Sequence, residues 1–521
     1  GGINMNGELL TKIKENYRYF GGISFIYGLF FTFCLYGNFS GITFPLCVIA
    51  TIYIYYLFLK KIGIKIKRRS IKYLVGIVML GFANCYTANS IFIFLDVVAI
   101  LLLFIIFMIQ QFYDDSVWKI SFYIKNMLCT VGTFFAQILS PFTDGMQYAK
   151  KRKRPHTEKT EKVKGIFVGI LISIPVLLVV LPLLLKSDMI FTKIFKSIFQ
   201  IPDFESWNLD VEFAKMIMFL IGVICCYGFF RGMCSMKLKT EQKEGKKTAP
   251  VIGITLNSIM AVLYMIYCGV QIIYLFMGFD KGLPAGVTYA EYARSGFFEL
   301  LFVSFINFFL VLASNAFFAK NKFLKILLFM ISGCTFIMIG SSAYRMILYI
   351  KQYHLTFLRV MVLWFLLVLT LFIIGLLMEI QQKKFSLFRY MVVVMMCCYI
   401  PFVYSRPEAL IAEYNISQGN MTWDDIHYLI YSGYYDSIPA LTSIKAENLA
   451  VEDQEAVYKA IESQIAESIS FILADEDGTY SKTEDIEIRK MNYSKYKAKK
   501  AAKEYLNKIN RKNEGGKMDN E

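Results

Sequence analysis

Residues Val251 to Met277 read VIGITLNSIMAVLYMIYCGVQIIYLFM, and no side chain in the run is charged. A helix rises about 1.5 Å per residue, so about 20 residues cross the roughly 30 Å of hydrocarbon in a bilayer. The run is long enough to do so, and Gly165 to Leu185 (GIFVGILISIPVLLVVLPLLL) is a second of the same kind. Over 521 residues the chain is 56% hydrophobic and 18% charged, more apolar side chain than a soluble interior of this size hides. The excess has to face lipid. The fold class expected is all-α, a polytopic transmembrane bundle whose first partner is the lipid bilayer.

Working outward, apolar runs place about 11 spans near 20–36, 42–59, 71–88, 90–109, 165–185, 212–230, 251–277, 297–318, 323–343, 357–378 and 387–404. The third is the least apolar and carries Gly76, Gly81 and Asn84. If it only dips into the membrane, the orientation of everything after it inverts. The first run lacks a small-residue cleavage site, so it reads as a targeting signal retained as a span.

The formal net charge of +16 raises nucleic acid as a partner, but the basic residues sit in short loops between spans, which excludes that class. Residues 60–72 hold seven Lys or Arg, 110–164 hold ten and 231–250 hold six, whereas the turns at 37–41 and 88–90 hold none. By the positive-inside rule, 11 spans place the N-terminus in the cytoplasm of a bacterial inner membrane and the chain after Tyr404 outside. Any other parity breaks the agreement. The basic cytoplasmic loops, KKRKRP at 150–155 among them, are suited to anionic lipid headgroups.

Two regions read as helices lying in the interface, 117–142 and 187–201; the second puts Ile190, Phe191, Ile194, Phe195 and Phe199 at helical spacing. The chain therefore divides into a transmembrane domain, 1–404, and a polar helical C-terminal region, 405–521. In the latter, Leu449, Val457, Ile461, Ile465, Ile469 and Ile472 mark an amphipathic helix, and Lys490 to Lys512 a basic one. This tail either docks on a membrane face or a partner, or is solvated.

Few side chains carry chemistry. The 11 cysteines form no Cys-x-x-Cys pair, and His156, His354 and His427 make no metal-ligand spacing, so neither a disulfide framework, a metal nor a cofactor is expected. Nucleotide-binding, hydrolase-elbow and zinc-protease motifs are all missing, and no protein partner is indicated. Matches to the Asn-x-Ser/Thr glycosylation pattern at Asn38, Asn415, Asn420 and Asn492 arise by chance in an Asn-rich chain. An ionisable group within a span costs about 2.5 to 3.5 kcal/mol at the centre. Asp96, in the fourth span, is thus either hydrogen-bonded to a neighbouring helix or a proton or cation site. Glu291, Arg294, Glu299, Arg345 and Arg359 all fall at the outer ends of spans eight to ten. They either pair to fix helix packing or line a polar pocket that opens outward and takes an anionic group.

Four local patterns, in order, carry a resemblance. They are PLLLKSDMIF (182–191), TYAEYARSGFFEL (288–300), YRMILYIKQYHLTFLRVMVLW (344–364), and AEYNIS followed by DIHYLIYSGYYDSIPAL. Together they resemble the bacterial membrane-protein families of unknown function numbered 4153 and 4173, over roughly residues 165–500, with the family-like membrane core at 165–404. In the third pattern Arg345, Tyr349, Tyr353, Leu355, Thr356, Arg359 and Trp364 stand in family-like places, and His354 stands where the family signature carries glycine. The resemblance implies an architecture and a location but no reaction, and it gathers Glu291, Arg294, Glu299, Arg345 and Arg359 into one site.

Three functions compete. A small-molecule permease has the span number but shows no internal repeat. A non-transport signalling or envelope scaffold protein would act through the tail. An envelope-lipid enzyme would use Tyr289, Glu291 and Arg294 against a headgroup, and lacks paired carboxylates at a catalytic spacing; an enzyme is the least supported of the three.

Overall fold

The computed structural model describes residues 2–115, 118–151, 209–236, 238, 247–277, 296–382, 385–431, 435–449, 454–473 and 488–518. Among them there is no strand. The chain runs through α1 (Gly2–Glu15), α2 (Tyr17–Leu35), α3 (Thr43–Ile62), α4 (Ile71–Tyr86), α5 (Ser90–Phe112), α6 (Ile120–Ala136), α7 (Ser140–Lys151) and α8 (Leu209–Ser235). It continues with α9 (Pro250–Met277), α10 (Phe297–Phe317), α11 (Lys322–Tyr353), α12 (Phe357–Gln381) and α13 (Leu387–Tyr404). Five helices follow the last span: α14 (Pro407–Ser417), α15 (Trp423–Tyr431), α16 (Ile438–Leu441), α17 (Gln454–Leu473) and α18 (Tyr493–Met518).

Nine of these helices are long and apolar enough to cross a membrane: α2, α3, α5 and α8 to α13. The chain is a multi-pass, all-α membrane protein. Of the other two expected spans, 165–185 lies outside the described residues, as does the interfacial helix at 187–201. The run at 71–88 forms α4, whose 16 residues reach about 24 Å, short of a full hydrocarbon core. The interfacial region 117–142 is two helices, α6 and α7, separated by a turn at 137–139. α11 is 32 residues long and carries on past the expected end at 343. Hydropathy falls at Ser341, Ser342 and Arg345, but helical hydrogen bonding does not.

The chain forms two compact units. One comprises Gly1–Val78, Leu102–Tyr113 and Lys125–Lys239. In it α2 packs closely on α8, because Gly28 and Gly222 face each other: a Cβ on Gly222 would come 3.0 Å from the Gly28 Cα. This small-residue approach lets helices pack where apolar burial gives no driving force. Phe20, Tyr55, Phe58 and Phe230 fill the space beside it. At one end the basic loops meet: Lys67 donates to the Gln110 carbonyl at 2.6 Å, and the Tyr113 hydroxyl donates to the Met236 carbonyl at 2.6 Å.

The other unit comprises Met79–Leu101, Asp114–Ile124 and Thr240–Glu521. α11 is its axis, packed on α9, α10 and α12, and α12 packs on α13. Buried polar pairs join the helices at three levels: Asn257 donates to Ser314 (3.0 Å), Asn307 to Thr335 (3.1 Å) and Ser341 to Gln271 (2.8 Å). In hydrocarbon such side chains act as interhelical glue, each worth about 0.6 kcal/mol. At the start of α13, Arg389 grips the buried Asp115 with two nitrogens, and Tyr123 donates to the same carboxylate at 2.9 Å.

The polar region after Tyr404 is folded. Ile461, Ile465 and Ile469 of α17 are buried against Ala498, Ala502 and Tyr505 of α18, in a core shared with α14, α15 and α16. The expected amphipathic helix therefore packs on the tail's own elements.

Candidate functional site

Asp96 is wholly buried in α5, within a membrane-spanning helix. The Tyr399 hydroxyl on α13 is its polar neighbour. An ionised carboxylate in such a place costs several kcal/mol.

Of the expected outer cluster, Glu291 and Arg294 lie outside the described residues. Arg345 is buried two turns before the end of α11, where its Nη2 donates to Gln271 Oε1 at 3.4 Å. Gly296, in the left-handed region at φ +77°, leaves room for it: a Cβ there would stand 2.9 Å from Nη1. Glu299 is exposed in the first turn of α10. Arg359, in the first turn of α12, donates to the carbonyls of Tyr353 and His354 and lies 4.5 Å over the Tyr349 ring. It thus satisfies the open carbonyls at the C-terminal end of α11, where a cation is favoured. Arg345 and Arg359 are held by separate contacts, and Glu299 is joined to neither.

The Arg359 contacts belong to a clasp that hydropathy does not mark. His354 follows α11 at φ +59°, ψ −179°, a conformation that suits glycine. The glycine-like turn is therefore kept, with a histidine in it. The cost of about 1–3 kcal/mol is offset by the imidazole, whose Nδ1 is 2.8 Å from Asp425 Oδ2 and whose Nε2 is 2.8 Å from Asn420 Oδ1. Beside it, Asn415 pairs with both the N–H and the carbonyl of Leu355 at 2.9 Å, and the Phe357 N–H donates to the Tyr428 hydroxyl at 2.8 Å. The third and fourth sequence patterns are thus the two halves of one interlock.

A second fastening lies at the turn between α4 and α5. Asp436, 2% exposed, accepts from Arg406 Nε at 2.6 Å and from Thr87 Oγ1 at 2.9 Å. Glu408, 6% exposed, accepts from Asn89 Nδ2, and its other oxygen has no partner. Burial, and then the charge of Asp436, push the Glu408 carboxyl up to about 8, against the opposing pull of Asn89. Of these two buried acids, Asp436 holds the Arg406 guanidinium and Glu408 holds the Asn89 amide. Sequence reasoning missed them because Arg406, Pro407 and Glu408 look like ordinary solvent-facing residues after a span. The signal available was that Asp436 falls in the fourth pattern and Glu408 four residues before it.

Farther along the tail, a polar recess of about 310 Å³ is lined by Glu413, Ser417, Ser443, Lys445, Glu447 and Asn448, among others. Among the described residues no group of three or more His, Cys, Asp or Glu side chains is placed to hold a metal ion.

No curated protein and no solved structure matches the chain. A protein family does, the one described as Domain of unknown function (DUF4153), over residues 74–444. The match reaches farther toward the N-terminus than the sequence patterns and takes in α5, the clasp and the buried acids. It extends over well more than half of the sequence, and the chain belongs to the DUF4153 family.

Proposed function

We propose that this is a membrane-embedded signalling or scaffold protein whose working part is the region after Tyr404. The observation that carries the reading is the double fastening of that region onto span ends, through His354 and through Arg406, Glu408 and Asp436. A tail with a core of its own, held so firmly and opening a polar recess, is built to present a surface in a fixed pose. Purified full-length protein carrying Glu413→Lys and Lys445→Glu in the recess, used to capture envelope components, tests this. Loss of a component bound by the wild type is expected. An unchanged set of bound components speaks against the recess as the recognising surface.

The same region is proposed to lie outside the cell and the N-terminus inside. Two groupings support this. The basic ends at 67, 110–113 and 236 meet one another in the first unit, and the ends at 84–89, 353–357 and 404–406, which carry little basic charge, meet the tail in the second. This reading needs α4 to cross, with the flanking residues 68–70 and 87–89 adding to its 16 residues. Impermeant thiol labelling of single cysteines at positions 38 and 443 checks it; labelling from the cytoplasmic face alone overturns it.

Asp96 favours a second reading, a permease with a proton or cation site, because an acid wholly buried within a span is costly to keep for structure alone. Asp96→Asn in proteoliposomes loaded with a pH dye separates the two. A wild-type proton leak lost in the variant supports transport, and identical traces argue for a structural acid.

A further inference from the structure

The exposed side of α18 is not uniformly polar. Ala498, Ala502 and Tyr505 face the tail's core. On the opposite face Tyr493, Tyr496, Lys497 and Lys500 follow one another at helical spacing, and beyond them Lys508 and Arg511 follow Glu504, all exposed. Just before the helix, Ile488 is 80% exposed and Met491 44%. Large apolar and aromatic side chains at one end of a basic stripe are the composition of a segment that lies in a bilayer interface.

The start of the helix is also fixed at the correct height. Asn492 donates to the carbonyls of Asn84 (3.1 Å) and Thr87 (3.0 Å), and its Oδ1 caps α18 by accepting from the Lys495 N–H. Tyr493 stacks on Tyr86 with ring centroids 4.8 Å apart, and Tyr86 in turn lies 5.7 Å from Tyr404. Residue 90 begins one span and residue 404 ends another. The aromatic and basic stripe therefore begins where two spans leave the hydrocarbon, at the depth of the headgroups, where tyrosine rings and lysines gather.

We propose that residues 488–500 seat in the headgroup layer of the protein's own membrane, with Met491, Tyr493 and Tyr496 in the interface and Lys497 and Lys500 on anionic phospholipid. The partner is a lipid surface, chosen over a soluble polyanion because the exposed apolar side chains have no use for one. Each lysine near an anionic surface is worth roughly a fivefold change in occupancy, screened by salt.

The test is amide hydrogen exchange of the full chain in nanodiscs of phosphatidylcholine, with and without phosphatidylglycerol. Slower exchange across 488–500 with the anionic lipid is expected, reversed by high salt, by Lys497→Glu with Lys500→Glu, and by Tyr496→Ser, which leaves the charge intact. Unchanged exchange at Ile461 and Ile465 would show that the tail core is still folded in these variants. Equal exchange in both lipids overturns the proposal. So does equal protection in phosphatidylcholine by an added soluble glycerol-phosphate polymer, which would assign the stripe to a polymer instead.

Discussion

Glu408→Gln is the perturbation that most directly tests how the C-terminal region is held. Glu408 shares its buried site with Asp436, Arg406, Asn89 and Thr87, and its carboxyl is raised from an ordinary 4.5 to about 8. In the folded protein it keeps its proton through neutral pH; in the unfolded chain it does not. Its contribution to stability is therefore complete below about pH 4.5 and is lost as pH rises toward 8, at about 1.4 kcal/mol per pH unit. Between pH 5 and 8 that amounts to about 4 kcal/mol, an upper figure because water entry relieves a buried charge. The Gln side chain keeps the oxygen that Asn89 donates to and cannot ionise. Thermal unfolding of detergent-solubilised protein across this range should show the wild type losing stability with rising pH and Glu408→Gln holding a flatter line, the two diverging most near pH 8. A wild type without the slope, or a Gln variant with the same slope, refutes the reasoning.

Other variants probe the neighbouring devices. His354→Ala keeps the left-handed backbone and loses the imidazole bridge, whereas His354→Gly loses the bridge but sheds about 1–3 kcal/mol of strain; the Gly variant should melt higher than the Ala variant, and equal melting denies the strain. Asp115→Asn leaves the Arg389 guanidinium facing a neutral amide and should cost about 3 kcal/mol in unfolding free energy. Arg359→Ala should cost about 1–2 kcal/mol by uncovering the carbonyls at the end of α11, while the exposed Glu299→Ala should stay within about 0.5 kcal/mol. If both instead leave stability alone and abolish a cellular phenotype, the outer residues serve a ligand.

Membrane residence, the helical class and most span positions are legible from composition and run length, because lipid admits only internally bonded helices or closed barrels and leaves long uncharged runs as a mark. α9 and α13 match their expected ranges to within one residue. α11 does not, because hydropathy registers Ser341, Ser342 and Arg345 as a break whereas these side chains bond to Gln271 and Phe297 on neighbouring helices. A buried polar group reads the same in sequence whether it ends a helix or bonds across one.

The alternation of basic and non-basic loops was also open to the sequence alone, as was the amphipathic stripe of α17. What that stripe packs against was not: only the folded chain brings Ile461 to Ala498, His354 to Asp425 and Glu408 to Asp436. A run of apolar residues fixes one element against its solvent. The cost or use of a charge depends on which distant groups surround it, and that is set by tertiary contact.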